Sequence, residues 1–302
     1  MSKKRILTIL AVALVFLMVR PLSAEKISLK LSFNINSYAE GDLEEWVRGL
    51  NTLWQDYSTA SPGSLSGQFI SPNYGSNFEI ELRIPVFKGF ALNLAGNRTS
   101  GTEEGTVTYN REGGTQDEMQ FLLNDVSALN LKIGFSYRVA IPPLPALQVF
   151  ATVGRHLLYV GYDVIENYEA IFRKGNLEFS GSYERENAFS SDALGFYAGL
   201  GIEYDVVKYV AIVAEVEKIW SKVDGFKGSH LYQVFQEDAL RNEEKGKATL
   251  YYYESTQFDS PTLYPVLTGH IERPEEDRIE NLRQGELNFS RFSVKLGVRF
   301  KF

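Results

Sequence analysis

Acid–base chemistry near neutral pH is most readily done by imidazole, and this chain of 302 residues holds three, His156, His230 and His270. They stand before Leu157-Leu158, Leu231-Tyr232 and Ile271-Glu272, so none has a serine two residues on, and none is read as half of a metal-ligand pair. His156 falls at the top of a strand pattern, near a rim, where a single imidazole is expected to be structural. No glycine loop for phosphate and no nucleophile elbow occurs. The absence of cysteine removes thiolate metal sites, disulfides and a lipidated N-terminal Cys. The sequence therefore predicts no catalytic residue, no metal and no cofactor.

What the sequence does place at fixed spacing is charge. Lys30, Arg83, Lys132, Arg138, Lys295 and Arg299, with Glu79, Glu81, Glu203, Asp205, Glu215 and Glu217, stand at alternate positions of segments whose intervening residues are mostly apolar. Side chains alternate across a strand with period two, so each segment reads as a strand with one oily and one polar face. The clearest is the last. Phe292, Val294, Leu296, Val298, Phe300 and Phe302 share one side, and Ser293, Lys295, Gly297, Arg299 and Lys301 share the other.

Seven further strands are expected over 26–37, 77–86, 90–97, 128–139, 147–159, 193–205 and 210–220, and the eighth over 287–302. The alternation slips at Arg155-His156, which predicts a bulge. Three prolines within 141–145 predict a turn, since proline cannot donate to a ladder. Short connections at 87–89, 140–146 and 206–209 alternate with long ones at 38–76, 100–127, 160–192 and 221–286.

Two closed forms satisfy this pattern. A soluble eight-stranded barrel buries the oily face, whereas a membrane barrel turns it to lipid and encloses the charges. Glycines on the polar face (Gly134, Gly195, Gly199, Gly201, Gly297) suit a crowded interior. Aromatics at the ends of the oily face would form two girdles: Phe90, Tyr137, Tyr204, Phe300 and Phe302 near the short turns, Phe78, Phe196 and Trp220 near the long loops. Both favour the membrane form. An interior barely wider than its side chains should then pair its charges across itself rather than hold an aqueous pore.

The amino terminus agrees. Lys3-Lys4-Arg5, an apolar run over 6–19 and Leu22-Ser23-Ala24 read as a secretory signal peptide cleaved after Ala24, leaving 25–302 as the barrel domain. No later run is long and apolar enough for a spanning helix, so strands must do any spanning. The chain's net charge of −7 becomes −11 without residues 1–24, which makes nucleic acid an unexpected partner.

The final strand, closing on Phe302, resembles the last strand of bacterial outer-membrane β-barrels, in which such an ending is recognised by the barrel-insertion machinery. The strands as a set resemble the small outer-membrane barrels that include the OmpA barrel domain, OmpX and OmpW. That resemblance covers about half of the mature chain and not its loops. It implies an all-β fold: an eight-stranded antiparallel transmembrane β-barrel with long extracellular loops and one short amphipathic helix in the first loop. It also implies a monomer in the bacterial outer membrane, with lipid and lipopolysaccharide as surroundings and a structural or surface-interaction role. OmpW-like members imply instead a channel for small hydrophobic molecules. A lipid-A-modifying enzyme is the other alternative, but the His-x-Ser pattern of the lipid A deacylases is missing.

An extracellular ligand is expected to meet the loops, whose charges are −4, −5, −4 and −5 in chain order. Acidic loops beside lipopolysaccharide could share divalent cations with its phosphates. In the first loop, Asp42 and Glu45 have cap spacing, and Leu43, Trp46, Val47, Leu50, Leu53, Trp54 and Tyr57 repeat at helical intervals. This stripe is expected to pack on other loops. The sharper alternative has Leu43, Trp46, Leu50, Trp54 and Tyr57 bordering a ligand entrance or lying on lipid headgroups.

Overall fold

A computed structural model describes residues 26–38, 41–72, 75–174, 177–237, 239–256, 262–275 and 279–302; the expected signal peptide and Ala24 lie outside them. In chain order the elements are β1 (Ser28–Tyr38), α1 (Asp42–Ala60), β2 (Gly63–Gln68), β3 (Ser76–Phe87), β4 (Phe90–Arg111), β5 (Gln116–Ile141), β6 (Leu144–Lys174), β7 (Leu177–Val207) and β8 (Val210–Trp220). There follow β9 (Lys222–Val223), β10 (Lys227–Gln236), β11 (Ala239–Thr256), β12 (Leu263–His270), β13 (Ile279–Gln284), β14 (Leu287–Asn288) and β15 (Arg291–Lys301).

Eight of these strands close on themselves. The antiparallel pairings run β1, β3, β4, β5, β6, β7, β8, β15 and back to β1, with Val298 opposite Ile212 on one side and Leu31 on the other. Closure removes the free edges that an open sheet would expose. At one end the strands turn back through residues 88–89, 142–143 and 208–209, tighter than the sequence predicts. Gly89 has φ +78°, and a Cβ there would lie 2.9 Å from the Arg138 carbonyl oxygen, so the first of these turns needs glycine.

The other end departs from expectation. Apart from a turn at 112–115, residues 100–127 are strand, as are 160–174 and 177–192: β4 to β7 continue far beyond the ring as a wall, in unbroken register from Leu129 opposite Tyr159 to Gln116 opposite Phe172. The fourth connection is also mostly strand. β10 pairs with β7, β11 with β10, and β12 and β13 both pair with β11. The last ring strand starts at Arg291 rather than 287, because Leu287-Asn288 pairs separately with Lys222-Val223.

Two further expectations are corrected. There is no bulge at Arg155-His156: Ile133 faces Arg155 and Lys132 faces His156 without a shift. The direction of the side chains holds while the chemistry changes, since Arg155 points outward and stacks on Phe196 at 4.7 Å. Pro145 lies within β6, where the register shifts between Ala140 and Ile141, so only Pro142-Pro143 form the turn.

The polarity of the sheet inverts along its length. On β5 and β6 the inward residues are polar within the ring (Lys132, Asn130, His156) and become apolar above it (Ala128, Val126, Leu122, Leu158, Val160, Tyr162). This upper core holds α1, whose Leu43, Trp46, Val47 and Trp54 are buried against the wall. Each fully buried apolar side chain contributes roughly 1.5–3 kcal/mol, so these four are the main reason the helix docks. The helix cap sits one residue earlier than predicted: Glu44 accepts the Gly41 N–H at 2.9 Å. Asp42 is freed to take Arg283 and the Glu286 N–H at 2.7 Å, which ties the helix start to the far end of the chain.

Gly49 lets α1 approach β12. A Cβ there would sit 2.3 Å from Pro265 Cγ, so Gly49→Val should push the helix away from β12 and cost about 1–3 kcal/mol. Proteolysis of α1 should accelerate in that variant; an unchanged rate would mean that this contact does not position the helix.

Candidate functional site

Two arrangements of side chains could act, one inside the ring and one in the head above it. The ring interior is built by alternation. β1 turns Lys30 inward, β3 Glu79, Glu81 and Arg83, β5 Lys132 and Arg138, β7 Glu203 and Asp205, β8 Glu215 and Glu217, and β15 Lys295 and Arg299. Ten of the twelve are buried; Arg138 and Asp205 lie nearer the short-turn mouth and keep some exposure.

The charges stack in layers. Uppermost is a square of alternating sign: Lys132 reaches Glu79 at 2.6 Å and Glu217 at 2.5 Å, while Lys295 reaches the same two carboxylates at 2.8 Å each. Below it, Lys30 bridges Glu81 and Glu215, both at 2.8 Å. Lowest, Glu203 is ion-paired with Arg83 at 3.4 Å, Arg138 at 3.3 Å, Arg299 at 3.2 Å and Lys301 at 2.7 Å. Lys301 joins this group although the sequence reading did not single it out; its place on the charged face of the last strand was the available signal. In a low-dielectric interior such charges are tolerable only when mutually paired.

His156 is inside the ring, not at a rim, because β6 continues above it. Its Nδ1 meets Asn130 Oδ1 at 2.9 Å, and its ring fills the space over Gly195, where a Cβ would lie 2.1 Å from Nε2. The six residues of the terminal strand, Phe292, Val294, Leu296, Val298, Phe300 and Phe302, all face outward and are exposed.

The head contains a cleft of about 300 Å³ between α1, β5, β6, β7, β11 and β12. Trp46, Leu50 and Trp54 line it, while Leu43 and Tyr57 turn elsewhere in the head. The stripe therefore faces other protein and the cleft. Trp54 Nε1 donates to Gln120 at 2.6 Å, and Gln120 donates to Glu166 at 2.6 Å. Glu166 also accepts the Tyr183 hydroxyl at 2.7 Å and Arg185 at 2.9 Å. Tyr168 stacks on Tyr183 at 5.3 Å, and Arg185 lies over Tyr183 and Tyr232 at 5.7 and 5.4 Å.

Sequence reasoning missed Gln120, Glu166, Tyr168, Tyr183 and Arg185, all in stretches read as loops. The run Tyr162, Val164, Glu166, Tyr168 at period two was the signal that β6 continues. Burial and then Glu166 push the Tyr183 hydroxyl up, so it stays a donor. The Tyr57 hydroxyl is raised to about 12 by burial and by its bond to Glu118.

His230 and His270 share this region. His230 Nδ1 meets Asn187 Oδ1 at 2.7 Å and His270 Nε2 meets the Tyr253 hydroxyl at 3.2 Å. Burial, followed by Arg185 and His230, lowers the His270 imidazole from 6.5 to about 4; burial and Arg185 lower His230 against a smaller opposing pull from Glu244. As pH falls from 6.5 to about 4 the unfolded chain takes up the His270 proton first, so the folded head loses stability across that window and is unaffected above it. Protease susceptibility of the head should rise as pH drops through that range and rise less in His270→Gln; a flat profile would show the imidazole is not buried.

Taken together, the fold and these sites define a closed eight-stranded antiparallel ring with a charged interior, surmounted by a sheet-and-helix head with an aromatic cleft. No protein-family model matches the sequence, and no curated protein matches it. Among solved structures the chain is similar to Acinetobacter baumannii CarO, at 14% identity over 80% of this chain and 96% of that one, with a TM-score of 0.26. It is also similar to the outer membrane protease OmpT of Escherichia coli (10% identity, 92% and 94% covered, TM-score 0.24) and to a Pseudomonas aeruginosa FadL homologue (8%, 92% and 91%, 0.16). At these scores none of the three bears on the role of this chain.

Proposed function

We propose that the chain is an integral outer-membrane β-barrel protein, exported by a signal peptide cleaved after Ala24, with a closed charged interior and a head that carries its external interactions. The observation that carries this reading is the ring's inverted packing: charges inside, an exposed apolar belt outside. On β7 the outward residues from Leu194 to Tyr204 are Leu194, Phe196, Ala198, Leu200, Ile202 and Tyr204. At about 3.3 Å per residue and a tilt near 40° that run is roughly 25 Å tall, the height of an outer-membrane apolar band. Phe90, Tyr137, Tyr204, Phe300 and Phe302 towards the short turns and Phe78, Phe196 and Trp220 towards the head are all exposed, as interfacial girdles require. So large an oily surface is not stable in water.

The head then stands outside the cell beside lipopolysaccharide, the short turns face the periplasm, and the closing strand is what the insertion machinery reads. The role proposed is structural and interactive rather than enzymatic; in support, each imidazole is hydrogen-bonded within the protein, His156 with Asn130, His230 with Asn187 and His270 with Tyr253. Because the interior charges pair at 2.5 to 3.4 Å, the ring is a plug rather than a channel. The test is the refolded protein in a planar bilayer beside heat-modifiable gel migration. A folded, inserted protein without single-channel openings is expected. Discrete openings would move the small-molecule channel to the front, and failure to insert would return the ring to the soluble form.

A further inference from the structure

The short-turn mouth of the ring is charged differently from the rest. It opens as a cleft of about 430 Å³ lined by five cations, Lys26, Lys88, Arg138, Lys208 and Lys301; the nearest carboxylate is that of Asp205, which stands at its edge and is held by the lining residues Lys301 and Gln148. Just inside, Glu203 is shared by four cations, of which Arg299 also takes Glu81 at 2.9 Å and Lys301 also takes Asp205. Arg83 is the least satisfied: it is buried, its contact with Glu203 is long at 3.4 Å, and its Nε and Nη2 have no hydrogen-bond partner. In register it lies opposite Ser28, which lines the cleft. Arg83 does not itself line the cleft and its guanidinium lies over the Phe150 ring at 5.9 Å, but its unused donors show that cations outnumber carboxylates at this end of the interior, which an anion in the mouth would offset.

The mouth is also pre-set. Lys26 and Lys208 both lie over the Tyr209 ring, at 4.3 and 5.5 Å, which holds their stems on one side of the opening. The Lys88-Gly89 turn and Arg138 are joined across the opposite wall by the Arg138 N–H to Gly89 carbonyl bond at 2.8 Å. Several point charges around one forked donor match a multiply charged oxyanion better than a single carboxylate.

We propose that this mouth is a binding site for phosphate groups, carried either by a soluble phosphate or by an anionic lipid headgroup. The inference rests on the cleft and its charges and stands whether or not the ring lies in a membrane. The probe for the soluble source is pyrophosphate, titrated calorimetrically into the refolded full chain in a non-ionic micelle at low salt. The probe for the lipid source is nanodiscs of phosphatidylglycerol against phosphatidylcholine, read as protection of Lys88 and Lys208 from amine labelling.

Binding in either arm is expected, and it should weaken by roughly tenfold or more in Lys88→Gln/Lys208→Gln, since each lost cation removes a charge-assisted contact. Both residues are exposed turn positions outside the buried network, so the variant should keep its heat-modifiable fold. Lys245→Gln/Lys247→Gln, which removes two exposed head lysines, should bind like the parent. Pyrophosphate binding identifies a soluble source, and protection by phosphatidylglycerol alone a lipid one. Absence of both, or equal weakening by the head variant, overturns the site.

Discussion

Lys295→Met should destabilise the refolded protein by about 3–5 kcal/mol, the cost of leaving a buried charge without its partner. Lys295 holds Glu79 and Glu217 at 2.8 Å each and is itself buried, so its loss leaves the two carboxylates with Lys132 as their one shared ion-pair partner, Glu79 keeping only its neutral bond from Asn97 besides. The net worth of such a square is not large, because desolvation offsets attraction. What is large is the asymmetry on breaking it. The check is the midpoint of denaturant unfolding in micelles, with Lys222→Met as comparison. Lys222 pairs with Glu286 at 2.8 Å but is well exposed, and its loss should cost about 0–1 kcal/mol. Lys295→Met/Glu217→Gln, which restores neutrality, should lie closer to the parent than Lys295→Met does. Equal loss in the single and double variants would mean the charges are not coupled.

The contrast between those two lysines also explains what the sequence could reveal. Within the ring, outside and inside differ as sharply as lipid-like apolar surface and paired charge, so Lys295 between Val294 and Leu296 announces a strand and its faces. Above the ring the faces are mixed: on β5, Leu122 and Gln120 point inward while Leu123, Phe121 and Met119 point outward. Period two survives there as geometry but not as chemistry, and the stretch reads as loop. The misread bulge has the same origin. Arg155 and His156 are both polar, so the pattern looks slipped, yet one stacks outward on Phe196 and the other packs inward over Gly195.

The cleft was hidden for a different reason. Glu166 on β6, Arg185 on β7 and Gln120 on β5 are far apart in sequence and meet only because three strands keep register beyond the ring. Pairing of that range leaves no local motif. The helix stripe, by contrast, was legible because its residues recur within one element; what could not be read was the wall it would find.

Trp54→Ala is the corresponding test of the head, and about 3–5 kcal/mol should be lost there. The side chain is buried, sits edge-on to Tyr57 at 5.9 Å, and donates to Gln120, which in turn holds Glu166. Truncation therefore opens a cavity and also unpairs a buried amide. Trp54→Phe keeps much of the volume but loses the N–H and one ring of the indole, so it should cost less, about 1–3 kcal/mol. Because the apolar head core and the charged ring interior are separate, the loss should be local. Hydrogen exchange should accelerate in α1 and the upper halves of β5 and β6, while heat-modifiable migration and the slowest ring amides stay as in the parent. If ring amides accelerate equally, the two cores unfold as one unit, and the head is then part of what keeps the ring closed.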